Sequence, residues 1–265
     1  MARIVSITTV VLAVLTLAPF PLAAEPPQPE ATGALMICGG GTLPATVTSR
    51  FVELAGGQSG RLVVIPTASS NVEDIHLKEH TRRWTELGVG TVAILHTRDR
   101  AEADDGTFVA PLKQATAIWF VGGQQSRLAA AYVGTATERA ILELFRRGGT
   151  IGGTSAGAAI QSRVMIQSGN PVPQITMGLD LLSGAIIDQH FLQRNRFNRL
   201  LFAVRKHPQR TGVGISEGTA VLFQKGVCHV LGDSYVTTVT AHGSPAPLSI
   251  NTFRPGQSFS VNTSR

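Results

Sequence analysis

Residues 148–159 read Gly148-Gly149-Thr150-Ile151-Gly152-Gly153-Thr154-Ser155-Ala156-Gly157-Ala158-Ala159. A short strand-like run ends in a serine and passes at once into helix-forming alanines, the pattern of a strand that turns sharply into a helix. Such a turn crowds its own backbone, and the small residues on both sides of Ser155 leave room for that crowding. The centre of the stretch is Gly153-x-Ser155-x-Gly157, a nucleophile elbow. It would hold the Ser155 hydroxyl at the strand tip, with the N–H of Ala156 aimed at a developing oxyanion. The bland reading, a glycine-rich turn with an incidental serine, is weakened by the strand before it and the helix formers after it.

Working outward from the elbow, the chain alternates apolar runs with helix-like stretches. Leu35–Cys38 stops at Gly39-Gly40-Gly41, Arg61–Ile65 at Pro66, and Ala117–Val121 at Gly122-Gly123, with Thr91–Leu95 between the last two. Pro44–Leu54, Val72–Leu87 and Gln125–Tyr132 read as helices between them. Glu138–Phe145 is the clearest amphipathic case, with Ile141, Leu142, Leu144 and Phe145 on one face. Buried strands joined by helices predict an α/β fold: a mostly parallel sheet with helices on both faces. Sheets of this kind hold ligands at the carboxyl ends of their strands, where the glycine-rich loops fall here. After Gly212 the texture changes to closely spaced Val, Thr and Leu runs, which predict antiparallel strands near the C-terminus. With no internal repeat and no linker, residues 33–265 read as a single catalytic domain.

Composition narrows the class further. The 265 residues are 43% hydrophobic and 15% charged, enough apolar material for a core and too much for a disordered chain. The 28 glycines carry no Gly-X-Y period, which excludes collagen. Lys and Arg number 23 against 17 acids, a formal charge of +6 spread along the chain. It lacks the basic block of a nucleic-acid binder. Residues 1–24 have one early Arg3, an apolar run from Ile4 to Leu17 and small residues at Ala23-Ala24, the layout of a secretory signal peptide. The apolar run is shorter than the ~20 residues of a spanning helix. The expectation is export to the periplasm or the exterior, with no membrane anchor after cleavage and residues 25–32 as a loose leader. Cys38 and Cys228 each sit in an apolar run, so a disulfide and two buried thiols both remain open.

A serine nucleophile needs a base, and the base needs an acid to orient it. Of seven histidines, His190 stands out because it ends the apolar run Ser183-Gly184-Ala185-Ile186-Ile187-Asp188-Gln189-His190. The others read as surface or satisfied core residues. Glu217 follows another short apolar strand in Gly212-Val213-Gly214-Ile215-Ser216-Glu217 and is the candidate acid. By spacing alone, Asp188 remains an alternative.

Three blocks together resemble one family. Gly-Gly-Thr-Ser155-Ala-Gly-Ala, Asp188-Gln189-His190-Phe191-x-x-Arg194-x-Arg196-x-x-Arg199-Leu200 and Gly-x-Gly-Ile-x-Glu217-x-Thr-Ala look like serine peptidase family S51, which contains cyanophycinase and aspartyl dipeptidase. Supporting matches are Gly39-Gly40-Gly41, Val63–Ser69 and Phe120–Gln125. The block around His190 is much more specific than the elbow. The resemblance implies a class I glutamine amidotransferase-like (flavodoxin-like) fold, a Ser-His-Glu triad, and no metal or other cofactor. Carried over by motif, Ser155 is the nucleophile, His190 the general base and acid, and Glu217 its orienting partner. The oxyanion would be received by the N–H groups of Ala156 and Gly123. Gln124, Asp188, Gln189, Arg194, Arg196 and Arg199 are the implied substrate contacts, for arginine forks suit the carboxylates of an aspartyl backbone. Asp188 could instead meet the arginyl moiety of the substrate or support an arginine of the enzyme, and the three arginines could form a solvated helix face. The implied substrate is cyanophycin (an aspartate backbone carrying side-chain-linked arginine) or a related aspartyl peptide, released as β-Asp-Arg dipeptides. Two departures, Ser216 and Gly218 where many relatives carry acids, and a short segment at Gln167–Gln174, bear on substrate preference. A homodimer is compatible with the sequence, which does not decide it.

Three rival readings remain. His76-Leu77-Lys78-Glu79-His80 fits the His-x-x-Glu-His zinc-protease pattern, but no convincing third ligand follows it. Trp84 and Trp119 lie in apolar patterns and read as core. An α/β-hydrolase esterase would order its triad Ser, acid, His and so would need His229 or His242, and the chain lacks an upstream His-Gly-Gly motif. A secreted binding protein with a degenerate peptidase fold would have no need of Ser155, His190 and Glu217 together.

Overall fold

A computed structural model describes residues 33–72, 74–242 and 247–261, with the side chains of 74–76 left out. The signal peptide and leader expected at residues 1–32 lie outside the described residues, as does the His76 side chain. Among the described residues no helix is long and apolar enough to cross a membrane.

Five strands form the parallel heart of the fold: β1 (Ala34–Cys38), β2 (Arg61–Ile65), β3 (Thr91–Ile94), β4 (Ala117–Phe120) and β5 (Thr150–Thr154). They lie in the order β1-β5-β4-β2-β3, each parallel to its neighbour. The first four of that order are buried at almost every position, as strands covered on both faces must be. Helices α1 (Ala45–Ala55) and α2 (Asp74–Glu86) bring Phe51 and Trp84 onto one face beside Trp119 of β4. These three rings pack with centroids 4.8–5.0 Å apart in tilted or edge-on contacts. The opposite face is covered by the short α3 (Arg100–Ala103) and α4 (Ala110–Gln114), with α5 (Gln125–Tyr132) and α6 (Ala136–Arg146). The amphipathic stripe read in α6 buries Ile141, Leu144 and Phe145.

After β5 the chain makes a single helical turn, α7 (Ala156–Ala159), and then the hairpin β6 (Val164–Ser168) and β7 (Gln174–Met177). The segment read as a short loop at 167–174 is the end of that hairpin. β8 (Ala185–Gln189) and β9 (Thr211–Ile215) then pair in parallel, joined by α8 (Phe197–Lys206), and begin a second, four-stranded sheet. β10 (Thr219–Gln224) crosses back and pairs antiparallel with β1, and β11 (Val227–Gly232) pairs with β10. β12 (Val236–Ala241) and β13 (Leu248–Phe253) complete the second sheet, and β14 (Ser258–Phe259) pairs at the edge of the first. The antiparallel texture expected after Gly212 begins with β9 itself, which is parallel to β8 on one side and antiparallel to β12 on the other.

Cys38 lies on β1 and Cys228 on β11, with β10 between them. Two strand spacings of ~4.8 Å separate their backbones by more than a disulfide spans. Both are free buried thiols, and burial pushes the Cys228 thiol up to about 12 and that of Cys38 higher still.

Candidate active site

The elbow forms as its sequence predicts. Ser155 sits between β5 and α7 with φ 53° and ψ −111°, a conformation that costs a non-glycine residue ~1–3 kcal/mol. Three backbone bonds hold it there: its N–H donates to the Cys38 carbonyl at 3.0 Å, and its own carbonyl accepts from Ala158 and Ala159. α7 returns so close to β5 that a Cβ on Gly153 would lie 2.3 Å from the Gly157 carbonyl oxygen. The paired glycines of the motif are thus a packing requirement of the turn.

His190 comes from the other sheet. It follows β8 with φ 48°, and its N–H donates to the Gly39 carbonyl at 2.6 Å, which ties the second sheet to the loop after β1. Glu217 follows β9, next to β8. Its N–H donates to the side-chain oxygen of Gln193 at 3.0 Å. The imidazole bridges the two: Nε2 lies 2.8 Å from Ser155 Oγ, and Nδ1 lies 2.5 Å from Glu217 Oε1. The three side chains therefore meet where the two sheets adjoin, instead of along one sheet edge. With Nδ1–H donating to the carboxylate, Nε2 is left as the acceptor for the serine hydroxyl. Burial lowers the His190 pKa, the Glu217 hydrogen bond partly restores it, and Arg194 and Arg196 lower it again. A neutral imidazole, ready to accept a proton, is the consequence.

The loop Gly39-Gly40-Gly41 packs directly on this group. A Cβ on Gly40 would meet the His190 ring, and one on Gly41 would lie 2.9 Å from Glu217 Oε2. These glycines, and Gln193, are site residues that chemical reasoning from the sequence did not single out. Gly39-Gly40-Gly41 was legible only as a motif, and Gln193 had no signal.

The remaining expected residues divide into two sets. Gly123, Gln124 and Arg194 are exposed, a Cβ on Gly122 would lie 3.4 Å from that of Ser155, and Ala156 is the first residue of α7. Asp188 and Arg199 are instead buried, 0% and 4% exposed, and bind each other through two hydrogen bonds. Burial raises the Asp188 pKa, and the hydrogen bond and charge of Arg199 oppose that. Arg199 also donates to the Gly169 carbonyl at 3.1 Å, which fastens the hairpin end. Arg196 donates to the Gln189 carbonyl at 2.5 Å and stands 3.6 Å from Asp188. Asp188 bonds the enzyme's own Arg199, while it is Glu217 that bonds His190, and Arg199 is no part of a solvated face. Gln189 is 2% exposed, with its side-chain oxygen unpartnered among the described residues.

The esterase ordering does not form. His229 lies by Ser258 at 2.8 Å and His242 by Ser249 at 2.8 Å, each within its own pair of strands. Trp84 and Trp119 are core residues, 3% and 5% exposed.

The sequence pattern of "Peptidase family S51" matches residues 35–231. A cyanophycinase of Geminocystis herdmanii is 34% identical over 227 residues, which cover 78% of this chain and 83% of that protein. A cyanophycinase of Synechococcus elongatus is 37% identical over 202 residues, which cover 73% of this chain and 62% of that protein. Among solved structures, that of a peptidase from an acI-B1 Actinobacterium superposes with a TM-score of 0.71 at 24% identity. The superposition covers 86% of this chain and 97% of that one, and it shows a shared fold.

Proposed function

This chain belongs to peptidase family S51 and is a serine-type peptidase, and we propose on that footing that it hydrolyses cyanophycin or related aspartyl peptides through an acyl-enzyme on Ser155. The observation that carries the reading is His190, whose two ring nitrogens lie 2.8 Å from Ser155 Oγ and 2.5 Å from Glu217 Oε1.

In this mechanism Ser155 Oγ attacks the scissile carbonyl while its proton passes to His190 Nε2. Glu217 fixes the tautomer and stabilises the imidazolium that forms. The N–H groups of Ala156 and Gly123 receive the oxyanion. Collapse of the tetrahedral intermediate breaks the C–N bond, and His190 Nε2–H protonates the departing amine. Water, deprotonated by His190, then attacks the acyl-serine ester and releases the aspartyl product with Ser155 regenerated. Gln124, Gln189, Arg194 and Arg196 are the substrate contacts of this reading, as the family motif implies. The Asp188–Arg199 pair supports the strand end that presents His190. The apolar segment at residues 4–17 supports export of the enzyme.

The deciding experiment is mass analysis of the products released from cyanophycin by the purified protein. β-Asp-Arg from the native enzyme and intact polymer with Ser155→Ala is the expected result. Undegraded cyanophycin alongside cleaved α-aspartyl dipeptides would move the substrate to that of an aspartyl dipeptidase. Unchanged hydrolysis by Ser155→Ala would overturn the mechanism.

A further inference from the structure

Beside the triad, on the α1–α2 face of the sheet, lies a cavity of about 220 Å³. That is room for roughly seven water-sized groups at ~30 Å³ each, the scale of one side chain. Two of its lining residues tie it to the chemistry. Thr154 precedes Ser155 in the chain, and Gly41 is the glycine packed on Glu217. The triad side chains themselves do not line it, so a group seated there would belong to a substrate that reaches past Thr154 and Gly41 from Ser155.

The lining selects what that group is. Trp84 and Trp119, nearly buried, provide an apolar floor, and α2 brings Arg83 and His80 to the wall. No carboxylate lines the cavity among the described residues, and the Arg83 side chain makes no ion pair or hydrogen bond among them. A guanidinium or ammonium entering here would meet the like charge of Arg83. A wholly apolar group would use the tryptophan floor but make no bond to the exposed Arg83 guanidinium at the wall. A carboxylate on a short stem satisfies both floor and wall, since arginine binds carboxylates through two parallel hydrogen bonds.

We propose that this cavity is the enzyme's acidic-group subsite, in which Arg83 pairs with a carboxylate carried by the residue whose carbonyl is attacked. The assignment rests on the reading of Ser155 as nucleophile. In an aspartyl peptide the carboxylate is that of the aspartate side chain. In a cyanophycin-type substrate it is the α-carboxylate of the arginine attached there.

Two substrate pairs separate these sources: an aspartyl dipeptide against its asparaginyl counterpart, and a β-Asp-Arg-linked peptide against the same peptide ending in argininamide. Each is assayed for kcat/KM, or for Ki as a competitor where it is not cleaved. The native enzyme is expected to favour the carboxylate member of at least one pair by about tenfold or more. Arg83→Gln should bring that ratio close to one, and Arg83→Lys should leave an intermediate ratio. Because Arg83 is exposed on its helix, these variants are not expected to unfold the protein. Ratios near one in both pairs for the native enzyme, or a preference untouched by Arg83→Gln, would overturn the subsite. If Ser155→Ala is inactive in that case, the nucleophile assignment survives. Turnover by Ser155→Ala would remove the mechanistic reading itself.

Discussion

Gly40 lies flat against the imidazole of His190: a Cβ at residue 40 would fall 2.3 Å from the ring Cε1 and 2.6 Å from Nε2. No side chain fits in that space without moving the ring, and the Gly40 φ of +107° is itself costly for any other residue. The loop after β1 thus acts as the wall that keeps His190 turned toward Ser155. Gly40→Ala is expected to lower kcat by about a hundredfold or more, the usual consequence of a catalytic group displaced by ~1 Å. Steady-state kinetics beside a thermal melt would check this, and a kcat within threefold of native would show that the ring does not depend on the contact.

The charge environment of the same ring sets a pH profile. Burial, reinforced by Arg194 and Arg196, lowers the His190 pKa against the opposing pull of Glu217. The base must be neutral to accept the serine proton. The acidic limb of kcat/KM should therefore have its inflection below the ordinary histidine value of about 6.5, with full activity at neutral pH. Arg194→Gln removes a positive charge near the ring, so it should raise the pKa and move that limb to higher pH. Arg194 is exposed, and the displacement should shrink as salt is added. A limb that stays in place, or moves down, would contradict the assignment of this titration to His190.

The alternation of buried runs and helical stretches made the parallel sheet legible, because strands covered on both faces must be apolar along their whole length. The division into two sheets was not legible. The runs 185–189 and 211–215 are as apolar as those of the main sheet, and apolarity reports burial without naming the neighbouring strand. The hairpin of β6 and β7 was missed because its strands are short and partly polar. At the site, the elbow marked Ser155 and the histidine block His190, whereas spacing left Glu217 and Asp188 both open as the acid and the family resemblance favoured Glu217. The burial of Asp188 follows from the two-residue period of its strand: it shares a face with Ile186, which packs under α8. That inference needs α8 to be placed first, and sequence spacing alone does not place it.

Asp188 and Arg199 form a buried, bidentate ion pair two residues from His190. Removing one partner leaves the other charge in an apolar space, which costs about 3–5 kcal/mol. Arg199→Met should therefore destabilise the fold by about that amount in urea unfolding. Arg196, 3.6 Å from the same carboxylate, tempers the loss. Asp188→Leu combined with Arg199→Met should recover a large part of it, since neither charge then remains. A stability loss below ~1 kcal/mol for Arg199→Met would mean that the pair is open to water and available to substrate, as its sequence motif first implied.

Gly123 and Gln124 are adjacent and exposed, and the proposed mechanism gives them different roles. Gly123 has φ +142°, and a Cβ there would fall 2.1 Å from the Ala68 carbonyl oxygen. That carbonyl is fixed, for it accepts from the Gln124 N–H at 2.9 Å and from Arg127 at 3.0 Å. Gly123→Ala must push the loop away from Ser155 and carry the residue 123 N–H out of reach of the oxyanion. A fall in kcat of about 10²–10³ is expected, the cost of losing one such donor, with a smaller change in KM. Gln124→Ala keeps the backbone and removes only a side chain, so its effect should fall mainly on KM. If both variants raise KM alone, the oxyanion is held elsewhere and the 122–124 loop serves binding only.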